Sequence, residues 1–519
     1  MIASGRGPWW PATVLLALSC LAFVRLLAIP MFEDEGSQLG WIVRIIDAGE
    51  WLAPLGDGKP LEAWPVVPLV RLGLPPLIAM RALHVLAGAI GSLLVYRIAL
   101  RVVAWPAAFA AGVLYVVCPF VVYLQRFALS DGFLCLAALT VCLSFLRITE
   151  EARWPAVLCL AGGFVFGALA KLPVGFVLVI TVPLALLLMP AASRRTLLRA
   201  PLCPRLLAAH VPVTLLALLV VVTAMVRVRR GQAPGFGLTD FAGVGLGAYR
   251  DIGATMGIAR ITLFGELSAQ LSWPVILISA VGLAVAAASS DWRLRWLIAL
   301  AAMPMLAIGT LATFWYSRYL LFTVPPLIIA AVGGWSAASD WARRSGSRLV
   351  RGLARPALGA AAIVCLGVMG WQSARIVLEP LAAHWSPVDR FQYFEGWGSG
   401  YGYPEAAVFL LNSATAPQSV FALDGHSAYQ LRSYLPRAWL NRVKTVYYGP
   451  AGEVLAGNRE RLENLLRDGR AWILIPEPLL QRYLDGSFGE AYHADWRLVA
   501  AFDKPGARTR LALFEATGR

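Results

Sequence analysis

Long apolar runs recur through residues 1–378 of this 519-residue chain, and they constrain its fold more than any other feature. A helix needs roughly 20 apolar residues to cross a bilayer. Hydrophobic residues make up 59% of the chain and charged residues 14%, which excludes a soluble enzyme and a single-span anchor. Hydropathy predicts about eleven spans, centred near residues 21, 86, 113, 138, 162, 181, 217, 281, 304, 328 and 366.

The net charge of +15 belongs to this apolar part, because residues 380–519 hold 15 Lys and Arg against 14 Asp and Glu. The cations gather in short loops such as 194–205 and 343–355, which is typical of cytoplasmic loops. With the N-terminus inside, an odd number of spans places the C-terminus outside. The pattern therefore predicts a multi-pass protein of the cytoplasmic membrane. Nucleic acid is not an expected partner, since the basic clusters lack interleaved aromatic residues.

The composition changes after residue 378, where apolar runs shorten to strand length. We predict a polytopic α-helical membrane domain over 1–378, with long outer loops at 31–75 and 227–272, and an extracytoplasmic α/β domain over 379–519. The predicted strands are Ser419–Leu423, Thr445–Tyr448, Trp472–Ile475, Leu498–Phe502 and Leu511–Phe514, with a helix at Arg459–Arg467.

Three adjacent carboxylates, Glu33, Asp34 and Glu35, follow the first span directly. These carboxylates either begin a solvated loop, or Asp34 is the N-cap of a helix beginning near Ser37, or Asp34 is a functional carboxylate at the lipid–water boundary. The following residues favour the last interpretation, because their apolar positions repeat with helical spacing up to Gly49. They predict an amphipathic helix on the membrane surface.

Four further polar elements lie at the outer ends of predicted spans. Lys59, in a Gly-Lys-Pro turn, is either an interfacial anchor or a phosphate ligand. Asp131 either caps the fourth span or faces a cavity. The other two elements are the turn at Lys171 and the segment 315–319, which contains Arg318 and Tyr319.

Arg227, Arg229 and Arg230 depart from the positive-inside pattern, because they follow the seventh span where the chain should be external. Either the topology is shifted by one helix or these charges bind a ligand. We favour the ligand, since a shifted topology would disturb the charge pattern of every later loop.

The order of these elements resembles the GT-C superfamily of membrane glycosyltransferases, in the branch that contains bacterial aminoarabinose transferases and protein O-mannosyltransferases. This resemblance implies a bacterial source. The sequence runs from an Asp-Glu pair through a Gly-Lys-Pro turn, Arg-x-x-x-x-Asp at Arg126 to Asp131, and a Lys-x-Pro turn to Arg-Tyr-Leu-Leu at 318–321. The segment 396–402 is similar to the aromatic and glycine-rich entry to the outer domain of this family. The resemblance spans about residues 10–410.

The resemblance implies a sugar donor on a polyprenyl phosphate, an acceptor glycan, lipid or protein at the outer membrane face, and inversion at the anomeric carbon. Asp34 is the expected general base, with Glu35 and Asp131 as second candidates. Asp34 and Asp131 are also the residues that could hold a divalent cation through oxygen ligands. Cations that could bind the donor phosphate are Lys59, Arg227, Arg229, Arg230 and Arg318.

Candidates for other substrate contacts are Glu62, Arg126, Lys171 and Tyr319. Glu62 is an extra carboxylate where family members often continue Lys-Pro-Pro, and it points to a different acceptor. A lipid-linked sugar flippase also needs an amphipathic cavity and cationic phosphate ligands, but it should carry charges near the midplane of several helices. A receptor-like sensor of envelope sugars would explain the outer domain but not the pairing of Asp34 with Lys59.

Overall fold

The computed structural model describes residues 8–22, 25, 27–55, 58–151, 153–171, 176–199, 202–229, 265, 267–311, 317–396, 398–413, 420–422, 425–436, 439, 442–445, 470–476, 496–506 and 509–517. These residues pack as two compact units. The first comprises residues 1–25, 52–65 and 80–386, and the second comprises 26–51, 66–79 and 387–519. The predicted boundary at residue 378 separates a membrane domain from an extracytoplasmic domain, whereas these units are defined by packing. That boundary stays a prediction.

Helices dominate the described residues. In chain order they are α1 (Trp10–Ala22), α2 (Glu33–Ala48), α3 (Val66–Arg71), α4 (Pro76–Ala99), α5 (Trp105–Val116), α6 (Pro119–Leu124), α7 (Ser130–Glu150), α8 (Trp154–Ala170), α9 (Thr181–Leu188), α10 (Ala191–Arg199), α11 (Leu202–Arg229), α12 (Leu267–Leu271), α13 (Trp273–Ala288), α14 (Trp292–Leu311), α15 (Val324–Arg344), α16 (Arg348–Leu378), α17 (Pro387–Arg390), α18 (Tyr403–Asn412) and α19 (Gly425–Arg432). Short 3₁₀ turns occupy Ala53–Leu55, Pro60–Glu62, Phe176–Ile180 and Ser317–Thr323, and a π turn occupies Phe391–Glu395.

Each predicted span centre lies within one of these helices. Among the described residues, four helical segments are long and apolar enough to cross a membrane, namely Pro76–Ala99, Ser130–Glu150, Ser317–Arg344 and Arg348–Leu378. Several other apolar helices are shorter than 18 residues. The chain is therefore a multi-pass membrane protein, and the number of eleven spans stays a prediction.

Glycine allows close helix contact in the first unit. A Cβ added to Gly334 of α15 would lie 1.7 Å from the carbonyl oxygen of Gly282 in α13. Small residues allow such backbone approach in membrane helices, where van der Waals contact replaces the hydrophobic effect as the driving force. The contact joins α13 directly to α15, the helix that continues from the Ser317–Thr323 turn.

The second unit contains a five-stranded sheet built from β1 (Val420–Ala422), β2 (Val443–Thr445), β3 (Arg470–Pro476), β4 (Trp496–Asp503) and β5 (Arg510–Thr517). Its strand order is β2-β1-β3-β5-β4. β1 pairs in parallel with β2 and β3, whereas β5 pairs antiparallel with β3 and β4. The described strands overlap all five predicted ones, although β2 begins earlier than predicted. The predicted helix at Arg459–Arg467 lies outside the described residues.

The predicted amphipathic helix is α2, and it ends as predicted at Gly49, whose φ of 68° is left-handed. Its beginning differs from the prediction. The helix starts at Glu33, with Phe32 as N-cap, so Asp34 lies in the first turn and is not the cap. α2 packs against α19 of the same unit, with Gly40 directly over the ring of Tyr429. The location of α2 on the membrane surface stays a prediction.

Candidate functional site

Four of the predicted site residues meet in the first unit around Asp131. The Nζ atom of Lys171 lies 2.8 Å from Oδ1 of Asp131, and Nε of Arg318 lies 4.0 Å from its Oδ2. Lys171 also stands over the ring of Tyr319, with 4.2 Å between Nζ and the ring centre. Asp131 is only 4% exposed and Arg318 only 7%. These residues therefore form one buried ionic cluster, which we call the Asp131 cluster.

Local structure explains how each member reaches this cluster. Asp131 lies in the first turn of α7, where a negative charge is favoured by the helix dipole, and Leu129 occupies the N-cap position. Lys171 follows the last residue of α8, a helix that packs closely against α7. Arg318 and Tyr319 lie in the Ser317–Thr323 turn.

The Asp131 cluster carries more positive than negative charge. Burial lowers the pKa of Lys171, and the Asp131 carboxylate raises it in opposition. The charges of Arg318 and Lys59 lower the pKa of Lys171 further, so both cations act on the same place. The Asp131 carboxylate thus faces two cations, Lys171 and Arg318, and the charge of Lys59 also acts on Lys171. Such an arrangement is suited to a bound anion such as a phosphate.

This donor set does not fit a divalent cation at Asp131. A metal ion needs several oxygen ligands, whereas the neighbours of Asp131 in the cluster are positively charged. Among the described residues, no three His, Cys, Asp or Glu side chains lie together as a metal site. A divalent cation at Asp34 stays a prediction.

Glu62 pairs with His84, a residue that the sequence analysis did not select. Nε2 of His84 lies 3.2 Å from Oε2 of Glu62, and both side chains are buried. Nδ1 of His84 donates to the carbonyl of Met80 at 2.9 Å, which directs Nε2 towards the carboxylate. The ring also packs on Phe133 of α7. Glu62 therefore has a buried partner within the protein, and this geometry favours a structural role over acceptor recognition.

Arg126 also binds groups of its own unit. Its Nη1 donates to the carbonyl of Ile376 at 2.7 Å, and its Nη2 donates to the carbonyl of Arg25 at 2.8 Å. Ile376 lies in the last turn of α16, so Arg126 satisfies a carbonyl at a helix end. A substrate-binding role for Arg126 stays a prediction.

The basic residues after the seventh predicted span are only partly described. Arg227 and Arg229 lie in the last turn of α11, and Arg230 lies outside the described residues. Their proposed contact with the donor phosphate stays a prediction.

Asp34 and Glu35 lie in the second unit and have different surroundings. Glu35 is fully buried, and its Oε2 accepts the backbone N–H of Phe32 at 2.9 Å, which is half of a capping box. Asp34 is half-buried in the same turn. Because Glu35 caps the helix, Asp34 is the stronger candidate for a general base.

We compared the chain with protein families and with known sequences and structures. The family model for dolichyl-phosphate-mannose-protein mannosyltransferase matches residues 60–226, a segment that includes Asp131 and Lys171. No curated protein sequence matches the chain.

Solved structures match over nearly the whole chain. The chain is similar to ArnT from Cupriavidus metallidurans bound to undecaprenyl phosphate, with a TM-score of 0.62, 15% identity and 98% of each chain covered. It is also similar to the Archaeoglobus fulgidus oligosaccharyltransferase in the apo form, with a TM-score of 0.54, 10% identity, and coverage of 96% of this chain and 75% of the other.

The predicted resemblance is thereby confirmed, and the chain has the fold of the GT-C membrane glycosyltransferases. Within that class its fold is of the ArnT type, since the ArnT match spans both chains almost completely.

Proposed function

We propose that this protein is an inverting glycosyltransferase that takes its sugar from a polyprenyl phosphate. The acceptor is a hydroxyl or similar nucleophile of a glycan, lipid or protein at the outer face of the cytoplasmic membrane. The observation that carries the proposal is the Asp131 cluster, in which Lys171 and Arg318 flank a single buried carboxylate.

The leaving group of such a transfer is a lipid phosphate, whose negative charge develops as the bond to the sugar breaks. Preorganised cations in a site with little water stabilise that charge strongly. Lys59, Lys171 and Arg318 supply such cations, and Asp131 holds Lys171 in place.

An apolar groove in the same unit supports a polyprenyl donor. It has a volume of about 250 Å³, and its lining includes Leu114, Val275 and Trp335. Leu320 also lines this groove, only two residues after Arg318 in the same 3₁₀ turn. A lipid chain in the groove would therefore bring its phosphate towards the Asp131 cluster. ArnT, whose fold is similar, was solved with undecaprenyl phosphate bound.

The chemical step needs one base and one stabilised leaving group. The Asp34 carboxylate takes the proton of the acceptor hydroxyl while the hydroxyl oxygen attacks the anomeric carbon. The bond between that carbon and the phosphate oxygen breaks, and polyprenyl phosphate leaves with both electrons. A single displacement of this kind inverts the anomeric configuration.

Donor binding provides the test. Polyprenyl phosphate is titrated into purified wild-type protein, Lys171→Met and Arg318→Lys, with Arg153→Lys as the control. Arg153 is exposed and pairs with Glu151, away from the cluster residues. Arg318→Lys loses the planar fork that binds phosphate through two bonds.

Each cluster variant should bind about tenfold to hundredfold more weakly, the value of one charge-assisted hydrogen bond. The Arg153→Lys control should bind like the wild type. Equal affinity in all four proteins would remove the cluster from the donor site.

A further inference from the structure

We propose that Gln430 and Tyr434 of the α/β unit are positioning residues for Asp34, so that this unit forms part of the catalytic machinery. The inference rests on the proposed function, in which Asp34 is the base. The inference gives the C-terminal region a role in positioning Asp34, which the topology of its sheet alone does not indicate.

The backbone just before Asp34 is bound by the side chains of Gln430, in α19, and Tyr434, in the turn that follows α19. The N–H of Met31 donates to the Tyr434 hydroxyl at 2.7 Å. The Nε2 atom of Gln430 donates to the carbonyl of Met31 at 2.8 Å and to that of Gly398 at 3.2 Å. Gln430 is only 1% exposed, so these bonds form where water does not compete.

A glycine-rich loop completes the support. The N–H of Glu33, the residue before Asp34, donates to the carbonyl of Gly398 at 3.0 Å. A Cβ on Gly400 would lie 2.1 Å from the carbonyl oxygen of Met31, so only glycine permits this approach. Gly398 and Gly400 therefore lie directly against the segment that leads into the first turn of α2.

The loop itself is fixed by a buried lysine. Lys504, at the end of β4, donates from Nζ to the carbonyl of Gly396 at 2.9 Å and to that of Ser399 at 2.8 Å. Lys504 is 2% exposed. A chain of hydrogen bonds thus runs from the sheet through the loop to the backbone of Glu33.

These hydrogen bonds serve mainly to position the backbone of residues 31–33. The contact of Gly40 with the Tyr429 ring already joins α2 to α19, and buried polar groups are tolerated only when they are hydrogen-bonded. What the hydrogen bonds add is a defined place for the backbone that carries Asp34. A misplacement of about 1 Å at a catalytic group costs about a hundredfold in rate.

The first experiment compares two tyrosine variants that each lose one hydroxyl from the same unit. Tyr434→Phe removes the acceptor of the Met31 N–H. Tyr403→Phe, the control, removes a hydroxyl that donates to Ser427 at 2.7 Å. We expect Tyr434→Phe to lower kcat about tenfold with KM for the donor unchanged, and Tyr403→Phe to leave kcat unchanged. Gln430→Met, which keeps the side-chain length, should lower kcat in the same way.

The second measurement repeats Tyr434→Phe in an Asp34→Asn background. If Tyr434 acts through the Asp34 carboxylate, its loss costs nothing further once that carboxylate is gone. An equal loss of kcat in both backgrounds, or no loss in either, would overturn the proposal.

Hydrogen exchange of residues 31–35 tests the positioning without any substrate. Exchange should be faster in Tyr434→Phe and Gln430→Met than in the wild type and in Tyr403→Phe. Unchanged exchange in both variants would overturn the inference even if transfer is robust. If exchange is faster in the two variants but the wild-type protein shows no sugar transfer, the proposed function is rejected while the positioning of residues 31–35 by Gln430 and Tyr434 is retained.

Discussion

Asp131 sets the charge of Lys171, and this relation predicts a pH dependence of donor binding. Burial, Arg318 and Lys59 lower the pKa of Lys171, whereas Asp131 raises it. Asp131→Asn removes the raising influence, so Lys171 should lose its proton at a lower pH than in the wild type. Affinity for polyprenyl phosphate should then fall as pH rises, beginning earlier in the variant. The dissociation constant is measured from about pH 6 to pH 10, a range that lies below the unperturbed lysine pKa of about 10.4.

Asp340→Asn is the matched control for that series, because Asp340 is an exposed carboxylate paired with Arg343 on α15. Its pH profile should follow the wild type. Parallel profiles for Asp131→Asn and wild type would contradict the account of Lys171 as a phosphate ligand.

The Glu62 and His84 pair predicts a loss of stability when one partner is removed. Glu62→Leu leaves His84 buried against an apolar side chain, and breaking a buried pair costs about 3–5 kcal/mol. Thermal unfolding in detergent should therefore occur at a clearly lower temperature. Glu151→Leu, which breaks an exposed pair with Arg153, should cost about 1 kcal/mol or less. Normal stability with altered acceptor use would instead return Glu62 to the substrate site.

At the scale of elements, the contact between α13 and α15 depends on Gly334. Gly334→Ala places a methyl group on the Gly282 carbonyl, and the two helices must separate. Overpacking of this kind costs about 1–3 kcal/mol. Gly162→Ala is the matched control, since nothing lies within 4 Å of its added Cβ and alanine is the better helix former. Equal unfolding temperatures for both variants would contradict the close approach of α13 and α15.

Elements with a strong local signal could be predicted from the sequence. The apolar spacing and the glycine at position 49 located α2 and its end, and short apolar runs after residue 378 located the strands. The start of α2 could not be predicted, because several residues in Phe32–Ser37 are plausible caps and only the packed structure shows that Glu35 bonds the Phe32 N–H.

The residues of the Asp131 cluster could be predicted from the sequence, but the distances between them could not. The motif order selected Asp131, Lys171, Arg318 and Tyr319, while their distances depend on helix packing across almost 190 residues of sequence. His84, Gln430 and Tyr434 carried no local signal, since a lone histidine or glutamine in a helix is usually structural. Their partners lie far away in sequence, at Glu62 and Met31.

At the scale of the whole molecule, the topology makes one prediction. From the predicted odd number of spans, with basic loops inside, we expect residues 379–519 to lie outside the cytoplasmic membrane. A C-terminal alkaline phosphatase fusion should be active, and a fusion to a reporter that fluoresces only in the cytoplasm should be dark. The reverse result would also move Asp34 to the cytoplasmic face, because both belong to the same compact unit.

The central claim is that Asp34 is the base of a sugar transfer from a polyprenyl phosphate. Asp34→Asn keeps the shape of the side chain and removes its basicity. Asp47→Asn, an exposed position on the same helix, is the control. Product formation is measured with purified protein in detergent, where no compartments exist and a flippase has no function.

The wild type and Asp47→Asn should transfer sugar equally. Asp34→Asn should bind the donor normally and lose about 10²-fold to 10⁴-fold in kcat, the usual contribution of general base catalysis. Transfer by Asp34→Asn at the wild-type rate would contradict the assignment of the base, and no transfer by the wild type from any polyprenyl-phosphate sugar would contradict the proposed function itself.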